Sequence, residues 1–307
     1  MVGAHRDEGS KGAAYLFVKP TGGWVSMTQT AKLTASDGAG GDTFGYATGI
    51  SGDTVVVGAH NDQVVGGDYE RGSVYVFVKP PTGWVNMTQM AKLTSSDGGA
   101  YDLFGISIGI SGDTIVAAAQ RKCAAYVFVK PPTGWANMTQ TAILDSSSTF
   151  YDYFGYSAAI SGDTVAIGAP WDGVGSNSQQ GSVYAFVKPG GGWSNMTETA
   201  KLTASDGGYK HYLGLSVAIS GDRVAAIGGN AAYVFDKPTG GWAGNLNENA
   251  KLTNPSGLGC GGSTPPTKCI AVDADTIVAT SFSADSNKGA GYVFGPGRPI
   301  FLPLILR

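Results

Sequence analysis

Charge, histidine, cysteine and helix-forming residues are all scarce in this chain. Charged residues are 14% of 307, against a typical ~25%, and the net charge is -3. No basic patch stands out, which excludes nucleic acid as an expected partner. The three His, at 5, 60 and 211, are scattered and lack metal-ligand spacing, so no metal site is expected. Leu and Glu are sparse, so helices are not expected. No run nears the ~20 apolar residues of a membrane span, so no transmembrane segment is expected. Residues 300–306 (IFLPLIL) are apolar but too short to span, and residues 1–12 lack the apolar core of a signal peptide.

What the chain has instead is glycine, 48 residues of it, without the Gly-X-Y period of collagen. Val, Thr, Tyr and Ile dominate the remainder. Turn dipeptides such as Ser-Gly, Asp-Gly and Gly-Gly arrive about every ten residues. This is the punctuation of an all-β protein.

The same sentence is written four times: FGYATGISGDTVVVGAH from Phe44, FGISIGISGDTIVAAAQ from Phe104, FGYSAAISGDTVAIGAP from Phe154 and LGLSVAISGDRVAAIGG from Leu213. A Tyr-x-Phe landmark recurs at Tyr15, Tyr75, Tyr126, Tyr184, Tyr233 and Tyr292, in steps of 60, 51, 58, 49 and 59 residues. A Gly-Trp pair ends at Trp24, Trp84, Trp135, Trp193 and Trp242. An Ala-x-Leu element falls at Ala31, Ala91, Ala142, Ala200 and Ala250. Each unit reads as four short strands. An FGYSAAIS strand turns at Ser-Gly-Asp into TVVVGA, a loop of variable length leads to GSVYVFVK, and a Gly-Trp turn leads to QMAKLTS. Four antiparallel strands per unit, repeated, predict an all-β β-propeller in which each copy is one blade.

Six blades are visible in part. They divide residues 1–295 into a partial blade (1–43), full blades (44–103, 104–153, 154–212 and 213–266) and a second partial blade (267–295). Residues 296–307 form an apolar tail, either a sorting or docking element or an extra edge strand. The first piece lacks its inner strand and the last its outer one. MVGAH aligns with VVGAH at residues 56–60, so Met1 begins in mid-strand. The expectation is a longer gene product, with seven blades and a signal peptide supplied upstream.

Phe44-Gly45 with Gly58-Ala59, and Phe154-Gly155 with Gly168-Ala169-Pro170, resemble the FG-GAP repeat family, the repeat of the integrin α-subunit propeller. The bacterial variety of that repeat is closest. The resemblance implies a secreted or cell-surface binding module. Calcium-binding members carry a D-x-D-x-D-G loop between the first two strands. Here that place holds only Ser-Gly-Asp, at Asp53, Asp113, Asp163 and Asp222, too few oxygens for Ca²⁺, so no metal or other cofactor is expected.

Several motifs yield to the repeat. Gly105-Ile-Ser107-Ile-Gly109 matches a nucleophile elbow, but it lies inside a repeated strand whose sister at 47 is Ala, so no catalytic residue and no enzyme activity are expected. Gly257-Leu-Gly259-Cys-Gly261-Gly262 fits G-x-G-x-x-G, but Pro265-Pro266 follow, so it is a loop. The Asn-Met-Thr sequons at Asn86, Asn137 and Asn195 read as turn residues before the fourth strand. The Gly-Trp tryptophans read as packing anchors, and Cys123 as a small packing residue. Cys260 and Cys269 flank GGSTPPTK. They would close that loop by a disulfide in an oxidising compartment, or stand as two thiols.

Trp171 is the one Trp outside the repeat pattern, in the loop GAPWDGVGSNSQQG. That loop shares a face with the connections between blades, which carry acidic turns and Tyr101, Tyr151 and Tyr209. Asp-Gly is also an ordinary turn dipeptide. Loops on a rigid scaffold nevertheless gather function. The expected ligand site is Trp171 and Asp172 with Asp42, Asp102, Asp152, Tyr101 and Tyr151, and the expected ligand is a protein or a glycan held by a monomer. The alternatives are a scaffold within a larger secreted enzyme or adhesin and, last, a propeller hydrolase.

Overall fold

The computed structural model describes residues 1–63, 69–148, 152–260, 268–281 and 289–295, and the backbone of 298–300. Almost all regular structure is strand. The stretch Asp7–Ser10 is bonded like a helix, but left-handed Glu8 and Gly9 make it a turn. The chain divides into two compact units, residues 1–122 with 126–141, and 123–125 with 142–307.

In the first unit the plan is clearest in the second repeat. Ala47–Ser51, Thr54–Ala59, Ser73–Val78 and Ala91–Thr94 pair in that order, all antiparallel. Ser51 opposes Thr54 across a two-residue turn in which Gly52 has φ +54°. The Asp53 carboxylate at that turn binds Lys79 Nζ at 2.6 Å, and its carbonyl accepts the Lys79 N–H. Asp113–Lys130, Asp163–Lys188 and Asp222–Lys237 repeat this ion pair. The Ser-Gly-Asp carboxylates thus brace the end of the third strand.

The apolar runs are buried on both faces. Phe44, Val55, Val57, Tyr75 and Phe77 pack with Ala31 and Leu33 of the preceding repeat. Phe44 meets Tyr75 and Phe77 edge-on at 5.4 and 6.0 Å. Full burial of each such side chain is worth about 1.5–3 kcal/mol.

The second unit repeats the scheme. Ser157–Ser161, Thr164–Ala169, Ser182–Val187 and Ala200–Thr203 form one antiparallel sheet. Ser216–Ser220, Arg223–Gly228, Ala231–Asp236 and Ala250–Leu252 form the next. Ile270–Asp273, Thr276–Ser281, Ala290–Gly295 and Arg298–Ile300 form the last. Arg298–Ile300, antiparallel to Ala290–Gly295, therefore supplies the fourth strand that was expected to be missing.

The sequons also differ from expectation. Met87–Thr88, Met138–Thr139 and Met196–Thr197 are not turns but two-residue strands. Each lies parallel to the fourth strand of the preceding repeat, pairing Leu33 with Met87, Leu93 with Met138 and Leu144 with Met196. Gly244–Asn247 does the same on Ala200–Thr203. We call these segments straps. The side chains of Asn86, Asn137 and Asn195 accept the backbone N–H of Lys32, Lys92 and Ile143 at 2.8–2.9 Å. Gln89, Gln140, Glu198 and Glu248 accept those of Ser36, Ser96, Ser147 and Ser205 at 2.8–2.9 Å. The strap covers an outer edge that would otherwise expose unpaired N–H and C=O groups.

Trp135, Trp193 and Trp242 are buried beside their straps, as packing anchors should be, but Trp24 is 63% exposed. Cys123 is half-buried with φ +56°, a tight-turn residue rather than a core one. Cys260 and Cys269 are joined by a disulfide, and Cys269 and Ile270 enter the core of the last sheet.

Candidate functional site

The glycines of the repeated sentence set the loops in place. Gly45, Gly105, Gly155 and Gly214, each after the Phe or Leu, have φ between +84° and +100°. The carbonyl oxygen of Gly105 lies against Gly58 of the preceding repeat, and that of Gly214 against Gly168, where no Cβ would fit. Within each unit these loops are zipped by backbone bonds. Leu103 and Phe104 N–H reach Glu70 and Arg71 carbonyls at 3.1 and 2.9 Å, and Tyr212 and Leu213 reach Gln179 and Gln180 at 3.1 and 2.9 Å. The residue before the Phe or Leu is left-handed each time, at Thr43, Leu103, Tyr153 and Tyr212.

Trp171 is half-buried in this frame. Its ring lies 4.6 Å from Tyr153, 5.6 Å from Tyr156 and 5.2 Å from Tyr212. Tyr153 is 38% exposed and Tyr156 is buried. Tyr209, at 69%, stands clear of the surface with Lys210 over its ring. Sequence reasoning found Trp171 but missed Tyr153 and Tyr212. Their signal was available, since each directly precedes the repeated Phe-Gly or Leu-Gly.

The acidic residues sit differently. Asp172 is only 2% exposed. It accepts the Tyr184 hydroxyl at 2.9 Å and the Ser148 hydroxyl at 2.9 Å, and pairs with Lys201 at 2.7 Å. Asp152, also buried, shares the Ser148 hydroxyl, and its burial raises its pKa. So Trp171, Asp172 and Asp152 gather in the second unit, but the two carboxylates face inward. Asp42 is buried and caps the Ala39 N–H at 2.6 Å, and burial raises its pKa too. Asp102 accepts the Gly99 N–H at 2.7 Å, and Tyr101 is 49% exposed. Tyr151 lies outside the described residues.

The Tyr–Lys–Asp set recurs. Tyr15 donates to Asp7, Tyr75 to Asp37, Tyr126 to Asp97 and Tyr233 to Asp206. Lys32, Lys92 and Lys251 close the set with those carboxylates. In the third repeat Ile143 stands at the lysine position, and Lys122, from the loop after the second strand, pairs with Asp97 at 3.3 Å instead. In the fourth, Ser148 stands where Asp37 and Asp97 do, and Asp172 takes over the tyrosine and lysine. Burial pushes Asp37 up, but Lys92 and Tyr75 outweigh it and leave its pKa lowered.

The FG-GAP repeat matches residues 27–77, 87–128, 138–186 and 196–241, more than half of the chain. This chain belongs to the FG-GAP repeat family. Each match begins at a strap methionine or its equivalent, Met27, Met87, Met138 or Met196, and ends in a third strand or just beyond. Each of the last three matches therefore contributes to three successive sheets, its strap to one, its Ala-x-Leu strand to the next and three strands to the one after. None of the curated proteins matches the chain. Among solved structures it is similar to a putative 6-phosphogluconolactonase from Bacteroides uniformis, 12% identical over 98% of this chain and 80% of that one, with a TM-score of 0.57. It is also similar to the Kuenenia stuttgartiensis hydrazine synthase, 11% identical over 84% of this chain and 66% of that one, at 0.48. The WD40 β-propeller domain of Doa1 is 9% identical over 83% of this chain and 66% of that one, at 0.47. These likenesses concern fold alone. The sheets of this FG-GAP chain are blades of the β-propeller class. No helix among the described residues is long and apolar enough to cross a membrane.

His60 gives the FG-GAP loops a pH dependence. Its ring packs 4.3 Å from Tyr46, its Nδ1 lies 3.2 Å from Thr43 Oγ1, and burial pulls its pKa down to about 4. An unfolded histidine takes its proton near pH 6.5, so the stability tied to neutral His60 is complete above 6.5 and is lost as pH falls from 6.5 to about 4. The loss is roughly 3 kcal/mol at most. Buried Asp42, with its raised pKa, works in the opposite sense. His60→Phe should flatten the melting temperature across that window, and an unchanged acid slope would show that His60 carries none of it.

Proposed function

We propose that this FG-GAP chain is a non-catalytic binding module of an extracellular or cell-surface protein. The ligand, a protein or a glycan, sits on the face formed by the inter-blade loops and the loops between second and third strands. The observation that carries the reading is the Trp171–Tyr153–Tyr212 cluster. Its aromatic surface is held by loops whose backbones bond across successive repeats, so a ligand meets a preformed site with little to order. Aromatic rings also present large contact area at low conformational cost. Non-catalysis is supported by Ser107, which is buried in mid-strand rather than raised on a turn. The disulfide between Cys260 and Cys269 suits an oxidising compartment.

The test is retention of ligands from surface extracts and from a glycan array. Trp171→Ala and Tyr153→Ala should each reduce retention on the order of tenfold, as loss of an aromatic hot spot does, while the melting temperature shifts little. Equal retention by the wild type and both variants would move the site elsewhere. Turnover of a substrate by the purified chain would overturn the non-catalytic reading.

A further inference from the structure

Among the described residues four straps are seated on outer strands, and a fifth copy of the strap sequence is not. When a strap is seated, Met or Leu opposes the Leu of an outer strand: Met87 on Leu33, Met138 on Leu93, Met196 on Leu144 and Leu246 on Leu202. The Gln or Glu that follows accepts the N–H of a serine three residues beyond that Leu. Beside three of these straps, Trp135, Trp193 and Trp242 are 5, 7 and 3% exposed. Gly23-Trp24 and Met27-Thr28-Gln29 repeat the same residues at the same spacing. Yet residues 24–29 form no strand, Trp24 is 63% exposed and Met27 is 36% exposed.

We infer that residues 24–29 are a docking surface for the free outer strand of another FG-GAP sheet, of the pattern Ala-Lys-Leu-Thr-x-Ser. The strand would add parallel to Met27 and Thr28, its Leu opposite Met27, with its Ser N–H donating to the Gln29 side chain. Main-chain pairing of this kind supplies affinity, and the Leu–Met contact and the Ser N–H supply specificity. A second copy of this chain is the poorer occupant. Its one described Ala-Lys-Leu strand without a strap, Ala250–Leu252, is followed by Pro255 where the others have the donating serine, and proline has no N–H. Ser26 stands in place of Asn86, and its shorter side chain forgoes the hydrogen bond that the asparagine amide makes in the seated straps.

The experiment titrates the ¹⁵N-labelled full chain with the peptide Ala-Lys-Leu-Thr-Ala-Ser-Asp-Gly, the sequence of residues 200–207. Saturable amide shifts at residues 24–29 and a shift of the Trp24 indole are expected. Met27→Asp, at an exposed position, should weaken binding about tenfold, and so should a peptide with proline in place of its Ser205 equivalent. The inference is overturned if residues 24–29 do not respond at several millimolar peptide. It is equally overturned if Met27→Asp and the proline peptide bind as the originals do.

Discussion

Gly168→Ala is expected to lower the melting temperature of the chain by about 2–12 °C. The added methyl would overlap the Gly214 carbonyl oxygen and the Ser157 hydroxyl. Ser157 also donates to that carbonyl at 2.8 Å, so neither atom can move without breaking a bond between two repeats. Overpacking against backbone costs about 1–3 kcal/mol, and each kcal/mol moves the midpoint of a domain this size by roughly 2–4 °C. Gly190→Ala is the control, because a Cβ there meets open space. Thermal unfolding of both variants decides the matter. A Gly168→Ala protein that melts with the wild type would mean that the Phe-Gly and Gly-Ala glycines do not set the spacing of neighbouring repeats.

Asp172→Ala is the second large effect, and it separates structure from binding at the candidate site. Removing this buried carboxylate leaves the Lys201 ammonium and the Tyr184 hydroxyl without their shared partner. Breaking a buried pair from one side costs about 3–5 kcal/mol, and Lys201 retains some solvent, so about 2–4 kcal/mol is expected. Chemical denaturation should show a lower midpoint with an unchanged slope. The double variant with Lys201→Met should recover part of the loss, since it removes the stranded charge. If Asp172→Ala keeps wild-type stability but loses ligand, the carboxylate belongs to the ligand and not to the fold. The pairing with Trp171→Ala is informative for this reason: the neighbouring side chains are expected to fail in different assays.

The fold class, the four-strand unit and the positions of the Ser-Gly-Asp turns could be read from the chain. They depend on local rules: alternation along GSVYVFVK, apolar runs such as TVVVGA, and Gly-Asp turns that admit positive φ. Self-similarity then placed the same local structure at each copy. Trp171 was legible for the opposite reason, as the tryptophan that breaks the pattern. Three features were not legible, and all depend on contacts between repeats. Asn-Met-Thr looks like a turn because its partner, the outer strand of the preceding repeat, lies about 50 residues away in sequence. Asp172 looks like a loop carboxylate, because only the folded chain brings it under Tyr184 and Lys201 in place of the aspartate that Ser148 replaced. Lys122 looks like a loop charge, because its place beside Asp97 depends on where the loop after the second strand ends. Sequence by itself determined what each repeat is, since backbone propensity and burial pattern act within a few residues. Only the tertiary structure decided which side chains hold one repeat to the next and which stay exposed, since that depends on distances set by packing.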